Sequence, residues 1–214
     1  LFEDVSDVWD QNNLHNELAA ARSTMTVDGK QWGVPTTYYQ WGFYYRKDIF
    51  AKYGLGEPRS MADLMNIFET LKKNGVTPIA IGTKYLWTAA GWFDFLNLRI
   101  NGYDFHMALM DGEVSYEDQR LDRVFDVWGE IAKSGYYIDN HASYSWQEGM
   151  APMINGDAAM YLLGNFIIPD LMRAGLEGKI GYFQFPVIDG SVRTYEEAPT
   201  DSMHIPARAK NKIL

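Results

Sequence analysis

The chain has 214 residues, 47% of them hydrophobic, a formal net charge of -9 and no cysteine. That length and apolar content bury a sizeable core in one or two domains, and the negative balance argues against a nucleic-acid backbone as partner, which calls for a clustered basic face. Disulfides and thiolate metal sites are excluded within this segment, and no stretch approaches the roughly 20 apolar residues that cross a bilayer.

In chain order, the segment 7–22, with Val8, Leu14, Leu18 and Ala21, predicts one or two helices. Asp28-Gly29 predicts a hairpin turn before a short strand closed by Pro35, and a second strand runs into a helix through Tyr45-Arg46-Lys47-Asp48-Ile49-Phe50. Ser60 and Asp63 have the spacing of a capped helix start, and Leu64, Ile67, Phe68 and Leu71 recur at i, i+3, i+4 and i+7 before Asn74-Gly75. The strand 76–81 follows. This strand-helix-strand order favours a parallel sheet covered by helices.

Further on, 87–100 reads as a helix with Trp92, Phe95, Leu96 and Arg99 on related faces, closed by Asn101-Gly102. Ser115 and Asp118 start another, whose Leu121, Val124, Phe125, Trp128, Ile131 and Ala132 form one apolar stripe expected in the core. Ser145 and Glu148 have capping-box spacing ahead of a short helix ending at Asn155-Gly156. A strand at 158–163, a short helix between Pro169 and Gly175, a strand at 179–185 and an extended segment at 200–205 complete the reading. Glu196-Glu197 reads as a solvated face.

Aromatic residues are abundant, with 14 Tyr, 11 Phe and 7 Trp. Several stand beside glycine or polar residues rather than at core spacing, as in Tyr38-Tyr39-Gln40-Trp41, Tyr144-Ser145-Trp146 and Gly164-Asn165-Phe166, where rings can form a binding surface. Catalytic and metal patterns are missing. His15, His106, His141 and His204 are scattered without ligand spacing, and there is no nucleophile elbow, P-loop or dinucleotide-binding turn. No cofactor is expected. Paired carboxylates among Asp94, Asp104, Glu148 and Asp201 stay open, because the separation that matters is spatial.

Six segments carry a resemblance. They are Gly33-Val34-Pro35, then 45–55 from Tyr45 to Leu55, then Glu57-Pro58-Arg59-Ser60-Met61-Ala62-Asp63-Leu64, then 71–80 from Leu71 to Ala80, then Gly156-Asp157-Ala158-Ala159-Met160, and last 205–212 from Ile205 to Lys212. In this order, across nearly the whole chain, they resemble the maltose-binding-protein-like solute-binding proteins of sugar-type ABC importers (family 1). The resemblance implies an α/β fold of the type II periplasmic-binding-protein kind, two lobes with parallel-rich sheets flanked by helices. It places 1–37 at the end of a first lobe and a hinge crossing, 38–199 in the second lobe, and 200–214 on the return crossing. The chain reads as an internal fragment, with Leu1 no initiator and Ile213-Leu214 an unlikely natural end.

Function follows as expectation from the same resemblance: a neutral carbohydrate captured between lobes by hinge closure, by a monomer in the periplasm or outside the cell, free or lipid-anchored. Its partners would be the importer's permease subunits and no nucleic acid. A pyranose presents apolar C–H faces and a rim of hydroxyls, so it needs flat rings and planar polar groups. Trp92 and Phe166 match places where the family puts stacking aromatics, although the family usually has Trp where Phe166 stands. Tyr39 and Trp41 are the two of their segment expected to face the cleft, by strand alternation. Asn165 and Asp201 are the polar candidates. For each, the alternative is structural: a core ring, a hinge contact or a turn cap. Arg46, where the family usually has Asn, reads as surface. A carbohydrate-active enzyme and a receptor for a non-sugar solute such as a polyol phosphate remain alternatives, the latter disfavoured because the cleft segments carry no Arg or Lys.

Overall fold

The computed structural model describes residues 1–212, so the expectation for Ile213-Leu214 lies outside the described residues. The chain divides into two compact units, a smaller one of Leu1–Gln40 with the segment from Ala198 onward, and a larger one of Trp41–Glu197. The smaller unit opens with short helices α1 (Ser6–Gln11), α2 (Leu14–Glu17) and α3 (Arg22–Met25). The hairpin β1 (Thr26–Val27) and β2 (Lys30–Gln31) turns through Asp28 and Gly29 at φ 52° and 75°, a left-handed pair in which glycine carries no steric penalty. Val5, Trp9 and Met25 form a small core to which Leu14, Leu18, Val34 and Ile205 add, and the Trp9 Nε1–H donates to the Gly33 carbonyl at 2.9 Å. Strand β3 (Val34–Tyr38) pairs antiparallel with the returning strand Thr200–Met203. An irregularity between Pro35 and Thr37 sets Thr37 opposite Asp201.

The larger unit is built on β4 (Trp41–Arg46), buried along its whole length. It leads into α4 (Lys47–Lys52) and α5 (Met61–Lys73), whose start is a full capping box: Asp63 N donates to Ser60 Oγ at 3.2 Å, and Ser60 N donates to Asp63 Oδ2 at 3.0 Å. The predicted stripe Leu64, Ile67, Phe68 and Leu71 is the buried face. Then come β5 (Thr77–Ile79), α6 (Trp87–Ile100), α7 (Tyr103–Met110) and α8 (Asp122–Lys133). After these follow α9 (Ala151–Asn155), β6 (Ala158–Gly164), α10 (Ile168–Arg173) and β7 (Ile180–Phe183).

The sheet order is β5-β6-β4-β7, with β5 parallel to β6 and β4 antiparallel to both neighbours. The parallel pair is therefore β5 with β6, and the two strands of the predicted strand-helix-strand unit, β4 and β5, run in opposite directions with β6 between them, so the parallel arrangement expected of that unit is corrected. Over this sheet Phe43 meets Phe183 at 5.0 Å, Trp92 at 5.5 Å and Phe185 at 5.6 Å between ring centroids, and Phe95 stacks on Phe185 at 5.1 Å. This aromatic core absorbs much of the ring content of the composition.

Four readings change. Arg46 is 8% exposed, donating to the Met153 and Ile154 carbonyls at 2.7 and 3.0 Å and pairing with Asp48, so it locks β4 to α9 instead of facing water. The α8 stripe is only partly core: Val124 and Ile131 are buried, whereas Phe125 and Ala132 are exposed. Asp118 caps a 3-10 turn at Gln119–Leu121, and α8 proper begins at Asp122. Glu196 and Glu197 are not a solvated face either; both lie half-buried, for reasons given below.

Candidate functional site

In the smaller unit, the Tyr39 hydroxyl donates to Asp201 Oδ1 and the Thr37 hydroxyl to Oδ2, each at 3.1 Å. Tyr39 N donates to the Pro199 carbonyl at 3.2 Å, which holds the segment beside the returning strand. Two expected ligand residues, Tyr39 and Asp201, are therefore partners of one another. Burial, then the hydrogen bond to Asp201 and its charge, raise the Tyr39 hydroxyl above its ordinary pKa, so it stays a donor at any physiological pH. Asp201 is exposed, and an ionised carboxylate with two bonds filled still accepts more.

In the larger unit, the rings Trp41, Trp87, Phe166 and Trp146 meet in sequence, at centroid distances of 5.8, 6.1 and 5.2 Å. The outer pairs are edge-to-face at 81° and 73°, a favourable arrangement for aromatic quadrupoles. Trp41 N donates to the Glu197 carbonyl at 3.0 Å and Trp41 O accepts from the Tyr182 hydroxyl at 3.1 Å, so the strand start is held on two sides. Its indole lies on Gly91 of α6, where any side chain would collide with the six-membered ring. Trp41 is 6% exposed and Trp87 is 37% exposed; Phe166 and Trp146 are half-buried, with Asn165 exposed beside Phe166. Trp41 is thus a floor and the other three form the accessible platform.

Local chemistry accounts for these positions. Trp87 opens α6 directly after Leu86, a non-glycine residue at φ 66°, and the carboxyl end of β5 lies just upstream. Trp146 sits between Ser145 and Glu148, whose backbone N–H and side-chain groups bond reciprocally at 2.7 and 3.2 Å. Phe166 lies in a 3-10 turn at the end of β6. Both strand ends are carboxyl ends of the one parallel pair, where α/β sheets hold ligands.

Trp92 goes elsewhere. It is wholly buried, edge-on to Phe43, Tyr137 and Phe185, so the sequence expectation of a stacking ring is corrected to a core ring. Five residues along a helix turn it about 140° away from Trp87. Trp87 was missed as a site residue because it reads only as a helix start; its place at the end of a β-strand crossover is the signal that would have found it.

A charged cluster borders Trp41. Trp87, Gly91 and Asp94 share one face of α6 at i, i+4 and i+7. Arg99, on the same helix, is buried and spent on the Phe185 carbonyl (3.1 and 2.8 Å), the Tyr195 carbonyl and Glu196 Oε1 (2.5 Å). Glu197 therefore has no arginine of its own. His106 Nε2 lies 3.8 Å from Glu197, burial lowers the pKa of that imidazole, and the more distant Arg99 charge offsets only part of the burial of Glu197. Burial, then the charges of Asp94 and Glu196, push Glu197 up to about 7, and burial alone pushes Asp94 up to about 6. Of the other carboxylates once available for pairing, Glu148 is occupied by its cap. Among the described residues no group of three or more His, Asp or Glu is placed to hold a metal ion, and no helix is long and apolar enough to cross a membrane.

The larger unit is thus an α/β unit with partly open rings at the ends of its parallel strands. The chain belongs to the bacterial extracellular solute-binding protein family, whose model matches residues 1–212. It is 27% identical over 209 residues to an ABC transporter extracellular-binding protein of Pyrococcus horikoshii, covering 96% of this chain and 46% of that protein. A probable sugar-binding periplasmic protein of Mesorhizobium japonicum is 26% identical over 180 residues, covering 81% of this chain and 42% of the relative. Among solved structures, the bacterial solute receptor AcbH, with an exclusive substrate preference for β-D-galactopyranose, superposes with a TM-score of 0.86 at 32% identity, covering 99% of this chain and 54% of that one. The chain spans about half the length of the relatives it matches.

Proposed function

We propose that the chain is part of a receptor that delivers a neutral carbohydrate to an ABC importer outside the cytoplasmic membrane. The observation that carries this reading is Trp87, 37% exposed, grouped with the half-buried Phe166 and Trp146. Flat rings left open to water cost hydration free energy that contact with the C–H face of a sugar recovers. Asn165 on the larger unit, and Asp201 with Tyr39 on the smaller, supply amide, carboxylate and hydroxyl groups for a hydroxyl rim. The absence of lysine and arginine among these residues supports an uncharged ligand over a polyol phosphate. Relatives named as sugar-binding periplasmic proteins support the same class.

Closure is the mechanism proposed with it: a ligand that contacts both units in one arrangement only shifts the population toward that arrangement, and the importer's permease subunits recognise it. The test is a thermal-shift screen of the full-length protein against mono- to tetrasaccharides, followed by small-angle scattering with the best ligand. A rise in Tm by mass action together with compaction supports the proposal. No shift with any sugar, and a shift with an anionic solute, would overturn it.

A further inference from the structure

Residues 188–197, the last of the larger unit, contain neither helix nor strand, and side chains of other elements hold them in place as a strap. Arg99 of α6, 2% exposed, donates to the Tyr195 carbonyl and to Glu196 Oε1. Tyr195 stacks on Tyr103 of α7 at 4.8 Å between centroids, with the Arg193 guanidinium over its ring at 5.2 Å. At the end of the strap the Glu197 carbonyl accepts from Trp41 N at 3.0 Å, and Trp41 in turn meets Trp87 edge-on. The strap therefore fixes the first residue of β4.

Its charges do not balance. Three carboxyls, Asp94 from α6 and Glu196 and Glu197 from the strap, stand about one guanidinium, whose other hydrogen bonds go to the Phe185 and Tyr195 carbonyls. Glu196 takes the arginine through Oε1 alone, and its Oε2 is buried without a hydrogen-bond partner among the described residues. Among the same residues no N–H or O–H donates to the carboxyl of Asp94 or of Glu197. The other titratable neighbours are His106 Nε2 of α7, 3.8 Å from Glu197, and the Tyr182 hydroxyl of β7, which donates to the Trp41 carbonyl at 3.1 Å. Neither supplies a counter-charge: burial disfavours the charged imidazole, and a phenol is never cationic. A carboxylate taken out of water without a counter-charge or a donor is costly, and a proton removes the cost.

We propose that residues 193–197 are a proton-operated clamp on Trp41, docked on α6 while the three carboxyls share at least one proton and loosened when the last proton leaves. The like charges of Asp94, Glu196 and Glu197 then repel across a site that Arg99 alone cannot balance. The docked strap binds more protons than the loosened one, so docking weakens as pH rises and levels off once Glu197, the last to ionise, passes about 7. Through Trp41 the clamp reaches the aromatic group, and it acts whether or not a sugar is the ligand.

The experiment is hydrogen exchange of the full-length protein from pH 5 to pH 8, with each amide rate divided by its intrinsic rate at that pH. Trp41 N–H reports the clamp, and Ala80 N–H, which donates to the Met160 carbonyl at 2.7 Å at the end of β5, reports global opening. Protection of Trp41 N–H is expected to fall by about tenfold or more between pH 5 and pH 8, while Ala80 N–H keeps its protection. Asp94→Asn with Glu197→Gln, two near-isosteric changes, should abolish the fall and leave only the opposite slope of His106. Equal protection at pH 5 and pH 8 in the wild type overturns the clamp, as does a parallel fall at Ala80 N–H or a fall that persists in the folded double variant. If the double variant does not fold, Glu197→Gln alone decides: a smaller fall than in wild type supports the clamp, and an unchanged one overturns it.

Discussion

Trp87 and Trp92 stand on one helix of the larger unit, and one opens to solvent while the other is sealed among Phe43, Tyr137 and Phe185. The rings around Trp92 hold the sheet to its covering helices; those around Trp87 meet edge-on or tilted near the ends of two strands, where Trp87 stays 37% exposed. Ring chemistry is therefore the same in both regions, and helical phase decides which ring is packed away and which stays partly open.

The sharpest way to break this contrast is Trp92→Ala. It should destabilise the protein by ~3–5 kcal/mol in denaturant unfolding, the cost of emptying a large core site. A loss under ~1 kcal/mol would show that the ring is not core. Trp87→Ala should do the reverse, with unfolding free energy within ~1 kcal/mol of wild type and sugar affinity reduced by ~1 kcal/mol or more, read by calorimetry. Unchanged affinity would remove Trp87 from the platform.

A third prediction uses the carboxyls beside Trp41. Asp94 and Glu197 hold their protons to about 6 and about 7 in the native state, against ordinary values of 3.8 and 4.5. The native state thus binds more protons between pH 4 and 7, and the stability these groups contribute is lost as pH rises through that window. Arg99, Glu196 and Tyr182 face the same cluster. His106, lowered by burial, acts in the opposite direction over part of this range, so a variant isolates the effect. Glu197→Gln should raise Tm relative to wild type at pH 8 and leave it nearly unchanged at pH 4; an equal change at both would refute the shift.

The smallest effect belongs to the smaller unit. Tyr39→Phe removes one hydrogen bond to Asp201 and should cost ~1 kcal/mol or less in stability, because water replaces the donor at an exposed carboxylate. If Tyr39 also touches ligand, affinity falls with it.

Much was legible from residue order alone. The Ser60-Asp63 cap, the Leu64 to Leu71 stripe, the Asp28-Gly29 turn and helix α6 over 87–100 all follow from interactions between residues a few positions apart, which local spacing encodes. The family was legible too, from six short segments in order.

What needed the tertiary structure was which side chains face water. Arg46, Glu196 and Glu197 read as surface until Met153, Ile154 and Arg99 came from far along the chain to cover them. Trp92 matched a binding position until Phe43 and Phe185 closed over it, and Trp87 became a candidate only once Phe166, with Trp146 behind it, arrived beside it. Burial is a sum over contacts between segments distant in sequence, so local pattern sets the helix and its phase, and only packing decides which face remains for a ligand.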